Sequence, residues 1–229
     1  MKQLIKKIKI NISITLITGL HIGGNSENVE IGGIDLPVIK LASRDNEPYI
    51  PGSSIKGKMR CLLEQVRGAS DVGLNSQVNS LFGIIKEKNP DKKNLPSKII
   101  VRDAILDENS KKMLLGCNNL DLPYTESKWE NTIKRVEGTA EHPRQIERVP
   151  AGAVFNAEFI INIWDDDDEQ KLMALFKEGI CLLENDYLGG NGSRGYGQIK
   201  FGEVVKNELS EDNSWIGSKE ERYGNIQNL

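Results

Sequence analysis

The chain has few cysteines and few histidines. Its 229 residues include 3 cysteines and 2 histidines. Because Cys61, Cys117 and Cys181 are odd in number, widely spaced and without a CxxC pair, they predict neither a disulfide framework nor a zinc ribbon. Two histidines also argue against a histidine-rich zinc site. We therefore expect no zinc, and any bound metal would be a hard ion with oxygen ligands, such as Mg²⁺.

Long hydrophobic runs are lacking as well. No segment approaches the roughly 18 apolar residues that a membrane-spanning helix needs. The N-terminus has lysines interleaved with isoleucines instead of the apolar core of a signal peptide. We therefore expect no membrane partner and a cytoplasmic location.

A strong overall positive charge is also missing, since the net charge is −3. The charge is nevertheless unevenly distributed, because residues 1–20 contain four lysines and no acid. Phosphate binding depends on such local patches, so the total charge does not exclude a nucleic acid. The acidic run 165–169 is interpreted as helix N-terminal charge favoured by the helix dipole, with a metal cluster as the sharper alternative.

The hydrophobic periodicity predicts an α+β fold. Residues 7–18 and 154–164 alternate like half-buried strands, and residues 54–66 have apolar residues at helical spacing. The predicted order of strand, helix, strand, strand, helix, strand matches a ferredoxin-like (RRM-like) βαββαβ core with its helices on one face. The core segments are expected at about 5–20, 53–68, 97–106 and 152–206.

A long insertion and a tail complete one predicted domain spanning residues 1–229. Between Tyr124 and Pro150 five acids balance five bases, and alternation at 132–136 and 145–149 predicts a projecting hairpin within about 120–150. The segment from Asn89 is expected to be a loop. The acidic tail, 207–229, is expected to be peripheral.

Glycine-rich loops and a helix start predict contacts with phosphates. Ser53 and Ser54 could cap a helix whose dipole favours an anion, and Lys56, Lys58 and Arg60 follow on its first turns. Two other glycine-rich stretches, 19–33 and 189–197, would let a ligand approach the backbone closely. A solvated helix face remains the alternative for the basic residues.

Two nucleotide-binding patterns fail on their context. Residues 52–59 match a P-loop except at Met59, where a Ser or Thr should bind magnesium, and no buried parallel strand is predicted before them. Residues 190–195 fit GxGxxG, but a helix precedes them and a strand follows, which reverses the dinucleotide-binding order. Neither pattern predicts nucleotide binding.

Five segments together resemble a known family. They are Thr18-Gly-Leu-His-Ile-Gly-Gly24, Ile34-Asp-Leu-Pro-Val-Ile39, Ile50-Pro-Gly-Ser-Ser-Ile-Lys-Gly-Lys-Met-Arg60, Pro143-Arg-Gln-Ile-Glu-Arg-Val149 and Leu183-Glu-Asn-Asp-Tyr-Leu-Gly-Gly190. In these motifs the chain resembles the RAMP-superfamily backbone subunit of type III-A CRISPR effector complexes, the third Csm subunit. The resemblance covers the chain from its first predicted strand to its last.

The resemblance implies an RNA-guided endoribonuclease. Several copies would stack with other Csm subunits along a CRISPR RNA, and each would insert a thumb-like hairpin that interrupts guide–target pairing. Target RNA would be cut at those interruptions with Mg²⁺ or another divalent metal and one aspartate, which corresponds to Asp35. A structural scaffold that binds CRISPR RNA without nuclease activity is the alternative.

The chemistry leaves two roles open for Asp35. It could bind a metal that neutralises the phosphate, or accept the proton of the attacking 2′-hydroxyl. We favour the metal-binding role because aspartate is a weak base at neutral pH. The structural alternative is a turn residue that caps local N–H groups.

His21 could take part in catalysis or contact RNA, although a lone histidine beside a strand end is more often structural. Further carboxylates in matching segments are Asp103, Glu130 and Glu147. Wedges at the hairpin could be Ile133, Val136 or Ile146. The residues expected to contact RNA are Ser53, Ser54, Lys56, Lys58, Arg60, Arg135, Arg144, Arg148, Gly189, Gly190 and Arg194.

Overall fold

The computed structural model has a mixed α/β fold with a sheet-rich core, and it describes residues 2–24, 34–85, 88, 94–210 and 219–229. In chain order the strands and helices are β1 (Leu4–Leu16), β2 (Lys40–Leu41), β3 (Glu47–Ile50), α1 (Gly52–Val66), α2 (Ser76–Phe82), β4 (Ile99–Val101), β5 (Ala104–Leu106), α3 (Glu108–Leu115), β6 (Glu126–Ile133), β7 (Ala140–Arg148), β8 (Val154–Trp164), α4 (Glu169–Glu184), β9 (Ile199–Ser210) and β10 (Lys219–Tyr223). No helix among these residues is long and apolar enough to cross a membrane.

One eight-stranded sheet forms the body of the molecule. Its order is β10-β9-β1-β8-β5-β3-β2, and β4 also pairs with β8. The central strand β1 is antiparallel to both β8 and β9. The predicted alternation of β1 and β8 is confirmed, because the residues expected to face the core are buried. They are Ile8, Ile10, Ile12, Ile14 and Leu16 on β1, and Phe155, Ala157, Phe159, Ile161 and Ile163 on β8.

Helices α1 and α4 cover the same face of this sheet. Phe159 of β8 meets Phe176 of α4 edge to face, with ring centroids 5.2 Å apart. A Cβ added to Gly179 of α4 would lie 2.9 Å from Met59 of α1, so this glycine allows the two helices to approach closely. Helices α2 and α3 were not predicted, although Asn75 and Asp107 cap them with their side chains.

The start of α1 differs from the prediction. Pro51 is the N-cap and makes no side-chain cap hydrogen bond, so neither Ser53 nor Ser54 caps the helix. Instead, the backbone N–H of Gly52 donates to Oδ1 of Asp103 at 2.8 Å. A carboxylate distant in sequence therefore takes the place of the expected serine.

The described parts of the C-terminal tail, which the sequence predicted to be peripheral, pair at the edge of the sheet. Strand β9 continues to Ser210, and β10 pairs with it from Glu208 to Val204. Ile226 is buried in the core behind these strands. The predicted loop at Asn89 and most of the predicted glycine-rich block 19–33 lie outside the described residues.

Strands β6 and β7 form a separate two-stranded hairpin within the insertion predicted at about 120–150. Its turn contains Val136, whose side chain is 100% exposed. Ile146 at its base is fully buried, so the expectation that Ile146 could act as a wedge was wrong.

Candidate endoribonuclease site

The segment that carries Asp35 runs along the free edge of β7. Leu36 forms a parallel bridge with Ile146, and the N–H of Glu147 donates to the carbonyl of Leu36 at 3.0 Å. Oδ2 of Asp35 accepts a hydrogen bond from the backbone N–H of Gln145 at 2.8 Å, and its side chain is exposed. A carboxylate can accept about four hydrogen bonds, so Asp35 keeps acceptor capacity toward solvent or a ligand.

The buried side chain of Glu147 fixes the backbone beside Asp35. Its Oε2 accepts from the N–H of Val38 at 2.8 Å, and its Oε1 accepts from Oγ1 of Thr125 at 2.6 Å. Nζ of Lys40 lies 2.5 Å from Oε1. Three donors, two from the Asp35 segment and one from Thr125, compensate for the burial of this carboxylate. The sequence had marked Glu147 only as a further carboxylate, and nothing in it pointed to Gln145, Lys40 or Thr125.

His21 is 8% exposed and is tied to the same strand. Its Nδ1 lies 2.7 Å from the carbonyl oxygen of Glu147. Since a carbonyl oxygen only accepts, Nδ1 is the protonated nitrogen in this contact. The structure therefore joins the His21 loop, the Asp35 segment and β7 through Glu147.

The glycine-rich loop after α4 approaches the backbone of His21. The N–H of Gly190 donates to the carbonyl of His21 at 2.8 Å. Gly189 has a φ of +76°, and a Cβ there would lie 2.3 Å from that same oxygen. Only glycine fits this position, so the close approach expected from the sequence is made here to the chain itself.

Tyr196 anchors the hairpin to this loop. Its hydroxyl donates to Oε1 of Glu130 at 3.0 Å, and Nζ of Lys128 and Cζ of Arg148 lie 4.5 and 5.1 Å from its ring centroid. Burial and the hydrogen bond to Glu130 raise the pKa of Tyr196 to about 12, so the phenol remains a donor at neutral pH. The hydrogen bond from Lys128 lowers the pKa of Glu130, which keeps it an acceptor. The base of the hairpin is thus held by both charge and packing.

The predicted arginines surround this hairpin. Arg148 pairs with Glu126 at 2.7 Å, and Nη1 of Arg194 lies 4.0 Å from Glu130. Arg144 is half-buried on β7, and Arg135 is exposed in the turn. The structure therefore brings Asp35, His21, the two loop glycines and Arg144, Arg148 and Arg194 to one region, whereas the turn places Arg135 at the far end of the hairpin.

The basic residues of α1 divide into two groups. Lys58 joins the glycine-rich loop, because its Nζ lies 2.8 Å from Asp186 and 3.7 Å from the ring centroid of Tyr187. Lys56 turns to the other side and donates to Ser97 and to the carbonyl of Ile99. Arg60 likewise bonds Glu64, Gly83 and Asn79. Ser53 is exposed and Ser54 is half-buried at the helix start.

Few side chains at the site could act as metal ligands. Across the described residues no three His, Cys, Asp or Glu side chains form a group able to hold an ion, which includes the acidic run 165–169. Those acids instead pair with lysines, as in the contacts of Asp166 with Lys2 and Glu169 with Lys6. Magnesium is often held by one or two carboxylates together with substrate phosphates, so an exposed Asp35 fits such an ion only with RNA present.

A protein-family model for the RAMP superfamily matches residues 13–200. The chain is 42% identical over 197 residues to the Streptococcus thermophilus protein named CRISPR system Cms endoribonuclease Csm3, covering 85% of this chain and 87% of that protein. The protein of the same name from Methanocaldococcus jannaschii is 42% identical over 211 residues, covering 86% of this chain and 79% of its own length.

A solved structure is similar along nearly the whole chain. It is a chain in the crystal structure of a Csm3–Csm4 subcomplex of the type III-A CRISPR-Cas interference complex. The TM-score is 0.61 at 30% sequence identity, and the match covers 98% of this chain and 93% of that one. The chain therefore belongs to the RAMP superfamily, and within it to the family of the Csm3 proteins.

Proposed function

We propose that this chain is the RNA-cleaving backbone subunit of a type III-A CRISPR ribonucleoprotein. It binds CRISPR RNA along a filament of its own copies and cleaves complementary target RNA at regular intervals with a divalent metal. The names of its curated relatives support the endoribonuclease activity, and the similar Csm3–Csm4 subcomplex supports other Csm subunits as partners. A cytoplasmic location accords with this function.

The observation that carries the proposal is the placement of Asp35. Its exposed carboxylate is held by the N–H of Gln145 at the edge of the hairpin, and two buried residues, His21 and Glu147, fix the backbone around it. An exposed group on a rigid support is what a reactive site requires, because catalysis depends on accurate positioning.

The cleavage chemistry needs mainly orientation from the protein. A 2′-hydroxyl in line with the adjacent phosphorus can attack it and form a 2′,3′-cyclic phosphate while the bond from phosphorus to the 5′-oxygen breaks, so a strand bent into that geometry is already activated. The 2′-hydroxyl would lose its proton to water, and the leaving 5′-oxygen would take a proton from water. Asp35 would hold a magnesium ion together with phosphate oxygens, and the ion, when bound, would neutralise developing negative charge. The hairpin would hold the strand in its bent form.

We also propose the finer fold expected from the sequence. The order β9-β1-β8-β4/β5, with α1 and α4 on one face, supports a ferredoxin-like core. The separate β6–β7 hairpin with its exposed turn supports a thumb-like role. The rest of the sheet, including β2, β3 and β10, extends this core at its edges.

The RNA contacts remain proposals. Lys58 and Arg194 border the glycine-rich loop near Asp186 and Glu130, and the exposed Arg135 lies at the turn. Phosphates could displace the carboxylates from Lys58 and Arg194, since both pairs are partly exposed and therefore weak. Lys56 and Arg60 are bonded within the protein, so we expect smaller contributions from them.

The test compares cleavage of a guide-complementary RNA by the assembled complex containing wild-type or Asp35→Asn chains. Asp45→Asn is a matched control, because Asp45 is also exposed and its φ of 53° suits asparagine. We expect regularly spaced cuts for wild type and Asp45→Asn, and no cuts for Asp35→Asn or after addition of EDTA. Equal cleavage with the Asp35→Asn and Asp45→Asn chains would contradict the proposal and show that this chain acts only as a scaffold.

A further inference from the structure

An exposed apolar stripe lies on one face of the β6–β7 hairpin. Trp129 and Ile133 are each 63% exposed. The register shift between Glu130 and Thr132 puts its extra residue on β7, so side-chain alternation along β6 places Trp129 and Ile133 on the same face, with Asn131 between them. In the described part of the chain, Trp129 is the only aromatic residue classed as exposed. A contiguous apolar stripe that is left in water marks a candidate binding surface.

Trp129 lies next to the residue that holds Asp35. It is the cross-strand partner of Gln145, whose backbone N–H and carbonyl are bonded to Asp35 and Leu36 on the other side. The pair is therefore of the non-hydrogen-bonded kind, with Cα atoms about 4.5 Å apart and side chains close together. The backbones of β6 and of the Asp35 segment therefore flank β7, about 10 Å apart by two strand spacings.

The surroundings of the ring suit a nucleobase better than a protein. Three exposed side chains, Trp129, Ile133 and Val136, offer roughly a few hundred Å², well below the roughly 1,000 Å² of a stable protein interface. Asn131 and Gln145 place carboxamides on the same face as the indole, and carboxamides can hydrogen-bond base edges. Every base has a flat face that stacks on an aromatic ring.

We infer that Trp129 is a stacking platform for an unpaired base of the RNA strand whose phosphate lies at Asp35. This inference rests on the proposed function and adds a substrate-binding residue to the same site. Stacking would hold the nucleotide beside the scissile bond, so that its orientation is fixed before cleavage. Loss of one such contact weakens binding or slows cleavage about tenfold.

The experiment uses the assembled ribonucleoprotein and a complementary RNA with 2-aminopurine beside each cut site. The fluorescence of this base is quenched when it stacks on an indole or a phenyl ring. The variants are Trp129→Ala and Trp129→Phe, with Met113→Ala as a control for loss of an exposed apolar side chain on α3. Quenching is recorded with EDTA present, before cleavage starts.

We expect wild type, Trp129→Phe and Met113→Ala to quench the fluorescence, and Trp129→Ala to lose the quenching and cleave about tenfold more slowly. Retained quenching in Trp129→Ala would overturn the inference. So would loss of filament assembly by Trp129→Ala before RNA is added, because the ring would then contact protein. Failure of the nuclease proposal would appear separately, as equal cleavage by wild type and Asp35→Asn.

Discussion

At the scale of single residues, the site is built from charges whose surroundings differ sharply. Asp35 is exposed and held by one backbone N–H, whereas Glu147 nearby is 1% exposed and accepts from three donors. The first arrangement leaves a carboxylate available to a ligand, and the second fixes structure. The family resemblance identified Asp35 as the candidate, but the partners that hold it come from distant segments and could not be predicted.

The pKa of Lys56 gives a test of how the surroundings of a single charge affect stability. Its burial, together with the nearby Arg60, lowers the pKa of Lys56 from 10.5. Between the lowered and the unfolded value, the unfolded chain binds more protons, so wild-type stability rises with pH. Lys56→Met removes this contribution. We expect the free energy of unfolding of the variant, relative to that of wild type, to be highest at pH 7. This difference should fall as the pH approaches 10.5.

The control for this measurement is Lys171→Met, on the exposed start of α4. The hydrogen bond to Asp168 raises the pKa of Lys171, so its small contribution is present at pH 7 and is lost as the pH rises through the raised pKa. Urea unfolding of each variant and of wild type at several pH values gives the slope, against pH, of the difference in their free energies of unfolding. Slopes of the same sign in the two variants would contradict the account of Lys56.

At the scale of elements, the hydrophobic periodicity of the sequence predicted the strands and the helix whose residues show it clearly. The bounds of β8 agree with the predicted residues, and α1 and β1 differ by a few residues at their ends. Helices α2 and α3 were missed because each is short, with 7 and 8 residues. Their stability comes from tertiary packing, which leaves a weak signal in the sequence.

The cap of α1 shows the same limit and gives an element-scale prediction. Because Asp103 accepts from the N–H of Gly52, Asp103→Ala should lower the free energy of unfolding by about 1 kcal/mol. Ser53→Ala removes a side chain that makes no cap hydrogen bond, and should change it by less than about 0.5 kcal/mol. Urea unfolding distinguishes the two. A larger effect of Ser53→Ala than of Asp103→Ala would contradict this account and indicate that Ser53 caps the helix, as the sequence suggested.

At the scale of the whole molecule, the sequence predicted one domain with both α and β elements but not its full sheet. Strands β2 and β10 are short or polar, and their pairing with β3 and β9 depends on neighbours far along the chain. The same holds for the site, where the Asp35 segment, β7 and the glycine-rich loop meet only in the folded chain. The family resemblance pointed to the motifs that meet there, but not to the contacts between them.

The whole-molecule account makes each copy in the filament an independent nuclease centre. The most direct measurement mixes wild-type and Asp35→Asn chains in known ratios before assembly and maps the lengths of the target-RNA products. We predict that each cut is lost in proportion to the fraction of variant chains, that products lengthen by whole intervals, and that cutting ends when every chain is the variant. Cuts of unchanged position and rate at every ratio would contradict the assignment of the chemistry to Asp35.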